Sequence, residues 1–158
     1  MLAMTWYDWF KTGHVLVAVL WVGGGATLAL MALMTLRLND PLRVAQFAHQ
    51  AGKIGERLYT PASLLVLLFG IGLMTNDDSP WKWDYTWVRI ALVGWAVTFL
   101  VGFFWLRPTA AKLATTIETK GPEDPETQEI IKRILLVTRL DVLLLLFIVF
   151  DMTAKPWW

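Results

Sequence analysis

Residues 15–36 read VLVAVLWVGGGATLALMALMTL, a run without one charged side chain. Wound as a helix at 1.5 Å per residue it is about 33 Å long, enough to cross a hydrocarbon core of about 30 Å. A helix that is apolar on every face must be buried in a large protein or in lipid, and a composition with so much surplus apolar surface points to something other than water around it. The run therefore predicts a membrane span, placed at about 10–36 with Lys11 and His14 near its polar edge. A signal peptide fits poorly, because the run is too long and no basic segment precedes it.

Three further stretches have the same character: about 59–75, about 87–106 with Arg89 near its start, and about 134–152 with Arg139 and Asp141 inside it. Hydrophobic residues make up 56% of the chain and charged ones 17%, against roughly 45–50% and about 25% in soluble domains. A mean hydropathy of +0.52 agrees. The expected fold is all-α, a transmembrane four-helix bundle forming one domain over 1–158. Helical cytoplasmic extensions are expected over about 40–58 and 109–133. Asp40-Pro41 reads as a helix start, Gly121-Pro122 as a break, and Pro125 with Glu126 and Glu129 as a new start.

Lys and Arg in the connections set the expected orientation. Arg37, Arg43, Lys53 and Arg57 lie between spans one and two; Arg107, Lys112, Lys120, Lys132 and Arg133 lie between three and four. Both connections are placed in the cytoplasm and both termini outside, in the inner membrane of a bacterium. Trp6, Trp9, Trp81, Trp83, Trp87, Trp157 and Trp158 then form one outer belt, the layer that amphipathic indoles prefer. The absence of Cys excludes disulfides, thiolate metal sites and covalent haem, and a net charge of +1 gives no case for nucleic acid. The lipid bilayer is the expected partner, with other membrane subunits or a second copy of the chain beside it.

His14 is the only histidine within a span. It shares a helical stripe with Ala18, Trp21, Gly25 and Leu28, which reads either as packing, with His14 bonded to a neighbour's carbonyl, or as the setting of a haem or copper ligand. A second ligand at that depth would be Met74 or Met152; His49 lies a membrane thickness away. Arg89 and Asp151 stand at the same level, as an ion pair or as groups that bind a propionate and orient a ligand. At the other end Arg37, Glu56, Arg57, Arg107, Arg139 and Asp141 gather, either as a structural network or as an anion pocket. Arg57–Asp141 and Glu56–Arg139 are the expected pairs. Gly23-Gly24-Gly25 lies inside a span, where small residues permit close helix approach. No hydrolytic constellation is visible.

Lys11-x-x-His14 followed by Trp21-x-Gly23-Gly24, then Glu56-Arg57-Leu58-Tyr59-x-Pro61-Ala62 with Gly70-x-Gly72, then Asp141 in a leucine-rich span ending at Lys155-Pro156, resembles a superfamily of small bacterial membrane proteins. It includes CopD-like copper-resistance domains, HemJ-type protoporphyrinogen oxidases and a branch of predicted integral membrane proteins, which this chain fits best. The resemblance implies His14 as a haem b ligand and a role for the Arg/acid cluster in handling a tetrapyrrole or holding the bundle. The chain differs from the HemJ pattern at Thr27–Met31, which lacks Pro and Arg, and at Leu140-Asp141, where Asn-Glu is usual. The functions expected are haem-linked electron transfer, an accessory subunit of a respiratory or photosynthetic complex, or copper handling or transport.

Overall fold

The computed structural model describes residues 4–38 and 40–155, and among them there is helix and no strand. Four long helices account for nearly all of these residues: α1 (Trp6–Arg37), α2 (Pro41–Thr75), α3 (Thr86–Lys120) and α4 (Pro125–Ala154). Their starts are dictated locally. Thr5 and Asp8 form a capping box, with Asp8 N–H donating to Thr5 Oγ1 at 3.2 Å and Thr5 N–H to the Asp8 carboxylate at 3.0 Å. Asp40 accepts from the N–H groups of Leu42 and Arg43, and Asp124 from that of Glu126, each ahead of a proline at the first helical position. Gly121 ends α3 at φ 88°, a backbone region that only glycine enters freely. The buried Thr127 hydroxyl then donates to Gly121 O at 2.8 Å, fixing the turn into α4.

α1, α2 and α3 are long and apolar enough to cross a membrane. α4 is of comparable length, but its apolar stretch carries Arg139, Asp141 and Asp151. The four helices pack as antiparallel neighbours, α1 on α2, α3 on α4, and α4 also on α1. The α1–α2 contact is set by glycines. A Cβ on Gly24 would come within 2.5 Å of Tyr59, and one on Gly72 within 2.7 Å of Phe10. Gly94 likewise receives Ile148.

Where the extensions project, the chain packs as a soluble protein does. Ala45, Ala48, Leu113, Ala114, Ile117 and Ile130 form a buried cluster joining the start of α2, the end of α3 and the start of α4. Glu126 bridges Lys112 (2.7 Å) and Lys120 (2.6 Å), and those two ammonium groups hold its carboxyl down at about 2. Within the spans the pattern reverses. α1 has no fully buried residue, and Val15, Leu16, Val19, Leu30 and Met34 are exposed. Such a surface demands lipid. We call the soluble-like end the cap and the opposite end the tryptophan end. Trp6, Trp9, Trp81, Trp83 and Trp87 mark the latter, while Trp157 and Trp158 lie outside the described residues.

Candidate functional site

Two helices carry the same irregularity. α2 widens into a π turn over Gly55–Tyr59, and α3 does so over Val101–Leu106. In each the carbonyl of a glycine accepts the N–H five residues on, Thr60 to Gly55 and Arg107 to Gly102. In each a proline follows six residues after the glycine, at Pro61 and Pro108. The physical cause is common to both. A proline ring inside a helix lacks an N–H and collides with the carbonyl four residues back, here that of Arg57 or Phe104. Both carbonyls lie in the widened turn. Such bulges occur often at functional sites.

Both π turns face one cavity of about 260 Å³, partly open and lined by all four helices. That exceeds the roughly 150 Å³ that accepts benzene. On α1 the lining runs from Trp21 to Leu36, a length of about 22 Å. Most of the wall is aliphatic or aromatic. Hydroxyls of Thr35, Tyr59, Thr60, Ser63, Thr98 and Thr138, with Asp141, supply the polar groups, and Arg107 lines the cap end. Along α3 runs a column at four-residue spacing, of which Phe99, Phe103 and Arg107 line the cavity. Trp95 Nε1 donates to Ser63 O (2.9 Å), Trp95 stacks on Phe99 (5.3 Å), Phe99 on Phe103 (5.9 Å), and Arg107 lies 5.5 Å over Phe103. Arg107 finally pairs with Glu56 at 2.8 Å.

This geometry redistributes the predicted charge cluster. Arg107 and Asp141 line the cavity, whereas Arg37, Glu56, Arg57 and Arg139 are exposed. The expected pairs Glu56–Arg139 and Arg57–Asp141 do not form. Glu56, in the widened turn of α2, takes Arg107 instead, the residue that follows the widened turn of α3, while Arg139 is exposed. Among the described residues Asp141 has no ion-pair partner.

His14 belongs to a different place. Its Nδ1–H donates to Val66 O at 2.9 Å, and its ring lies against Gly70, where a Cβ would come within 3.3 Å. That bond leaves Nε2 as the ring's lone-pair nitrogen, the tautomer that a metal ligand needs. Trp21, Gly25 and Leu28 of its stripe face the cavity, but His14, Met74, Met152 and Arg89 do not line it. Met74 is one turn beyond Gly70 on α2, about 6 Å along the axis. Arg89 is exposed.

Asp151 is fully buried, and neither carboxylate oxygen has a hydrogen-bond partner. No ion pair with Arg89 forms. Asp151 stands one helical turn beyond Ile148, which packs against Gly94, and one turn before Lys155, which lies over the Trp81 and Trp87 rings. Those rings meet edge to face at 5.4 Å, and Lys155 Nζ lies 4.6 Å over Trp81. The buried Trp87 Nε1–H is likewise without a partner.

The sequence reading did not single out the cavity's hydroxyl band or its π turns. The available signal was the twice-occurring Gly-x5-Pro, in GERLYTP and GFFWLRP, together with Trp95, Phe99, Phe103 and Arg107 at helical spacing.

The fold and the cavity define a helical integral membrane protein with an internal chamber. Residues 8–156 match the family described as "predicted integral membrane protein (DUF2269)", and the chain belongs to it. No curated protein and no solved structure matches the chain.

Proposed function

We propose that this chain is a four-span membrane protein that binds a small, mostly apolar molecule in the chamber between its helices. One observation carries the reading: two separately widened turns, on α2 and α3, open onto a single cavity that reaches from mid-span to the cap. Ordinary packing closes such space, because each unfilled cavity costs stability. α4 completes the bundle as the fourth span, its acidic Asp141 turned to the chamber and not to lipid. The cap lies in the cytoplasm and the tryptophan end outside, on the Lys/Arg distribution. The test is ligand retention. Protein purified in mild detergent should release a stoichiometric small molecule on denaturation, read by mass spectrometry. Gly102→Trp, which projects a ring into open space, should purify without it. Equal recovery from both proteins would refute the reading.

A second reading has its own observation. With Nδ1–H bonded to Val66 O, His14 Nε2 would be free to hold a haem b, and Met74, Met152 and Arg89 would be the further residues to bind it. A haem held there would supply one-electron chemistry, and His14 would orient the iron. The purified protein should then show a Soret band that His14→Ala abolishes. A colourless wild type, or a His14→Ala spectrum like the wild type's, removes this reading and leaves the chamber reading intact.

A further inference from the structure

We infer that the chamber selects a cationic occupant, an amphiphile whose ammonium group pairs with Asp141 while its apolar body lies along the Phe99–Phe103 wall. The inference rests on the chamber-binding reading above. Its warrant is the sign of the charge left over once the pairs inside and around the cavity are assigned. Among the described residues, two side chains that carry a charge at neutral pH line the space, Arg107 and Asp141. Arg107 is already paired: Glu56 accepts from its guanidinium at 2.8 Å, and the cation lies 5.5 Å over the Phe103 ring. Asp141 has no basic partner, and the arginines that share its end of the bundle, Arg37, Arg57 and Arg139, are exposed. The chamber therefore carries one uncompensated carboxyl.

The surroundings fit an ammonium better than an anion. A primary ammonium has three donors and no acceptor. Asp141 offers two oxygens, and Thr138 stands three residues before it, on the same face of α4. The Ser63 and Thr98 hydroxyls already donate to backbone carbonyls, Thr60 O at 2.8 Å and Trp95 O at 3.0 Å. Their oxygens are consequently left as acceptors. An anion would face the carboxylate with those hydroxyl protons already engaged. The aromatic column adds a wall that attracts cations and apolar groups alike.

Three probes of nearly one shape separate the claims: phenylbutylamine, phenylbutanol and phenylbutyrate. Each is equilibrated at neutral pH with nanodiscs holding the full chain, and with empty nanodiscs as the partition blank. The amine should bind roughly ten- to a hundredfold tighter than the alcohol, the range of a hydrogen bond to a charged group, with the butyrate weakest. Asp141→Asn should bring amine and alcohol together while leaving the alcohol's affinity unchanged. Glu56→Gln, at an exposed position, frees Arg107 and should lower the amine-to-butyrate ratio severalfold. An amine preference that survives both variants, or a butyrate that binds tightest in the wild type, overturns the inference and leaves the chamber reading standing. Failure of all three probes to exceed the blank, with the Gly102→Trp protein indistinguishable, overturns the chamber reading and this one with it.

Discussion

Asp151 shows how far a single side chain escapes a linear reading. Its position in the chain suggested an interfacial carboxylate beside Arg89; the structure buries it completely, with no donor for either oxygen. What decides this is the rotation of α4, set by Ile148 seated in the notch at Gly94. That notch pairs residues from helices far apart in sequence, so no local pattern reports it. A buried polar group left without a partner costs about 1–3 kcal/mol, and leucine has nearly the same shape as aspartate. Asp151→Leu should therefore stabilise the protein by about that amount, read as a higher midpoint of thermal unfolding in detergent. A lower midpoint would mean that the carboxyl holds a bonded partner in the membrane. His14 was more legible. A lone imidazole in a span has few options, and bonding to a neighbouring helix carbonyl was one of the two put forward for it.

At the scale of the helix, the ends were readable and the faces were not. Asp40-Pro41, Gly121-Pro122 and Pro125 mark boundaries through local chemistry, and the helices begin and end there. Which side of α1 turns inward is hidden, because lipid and protein interior are equally apolar and the amphipathic contrast that orients a soluble helix is missing. The Gly23-Gly24-Gly25 run illustrates the point: three identical residues have three surroundings. Gly23 meets nothing, Gly24 meets the Tyr59 ring and Gly25 lies 3.7 Å from Leu145 when a Cβ is added. Gly23→Ala should be neutral or stabilising, by up to about 1 kcal/mol from helix propensity. Gly24→Val should cost about 1–3 kcal/mol, since the rigid Tyr59 ring must yield. Equal thermal midpoints for the two variants would contradict the α1–α2 packing. The π turns were missed for a related reason. Pro61 and Pro108 are residues that disturb a helix, but only their equal spacing from Gly55 and Gly102 distinguishes a widened turn from a helix end.

For the molecule as a whole, the membrane class was plain from composition, and the all-helical architecture followed from run lengths. The chamber was not, since it exists only between helices. The proposed topology has a direct check. Cysteines placed at Asp78, in the α2–α3 turn, and at Thr119, at the cap end of α3, are both at exposed positions. An impermeant thiol reagent added to intact cells should label Asp78→Cys and spare Thr119→Cys until the cells are opened. Equal labelling of both would overturn the arrangement. The cap itself has a further effect. α2 and α3, at 35 residues each, are about 52 Å long, against a hydrocarbon thickness of about 30 Å. Some 20 Å of the pair stands clear of the lipid, packed by Leu113, Ile117 and Ile130 and edged with charge. That block cannot sink into hydrocarbon without burying its ions, so it floats at one leaflet like a collar. When the bilayer thickens or thins, the adjustment falls on the tryptophan end, where indoles tolerate a shifting boundary. The chamber, which reaches from mid-span into the collar, keeps its depth with it, and the ligand proposed for it would be met at the same height in every membrane the protein inhabits.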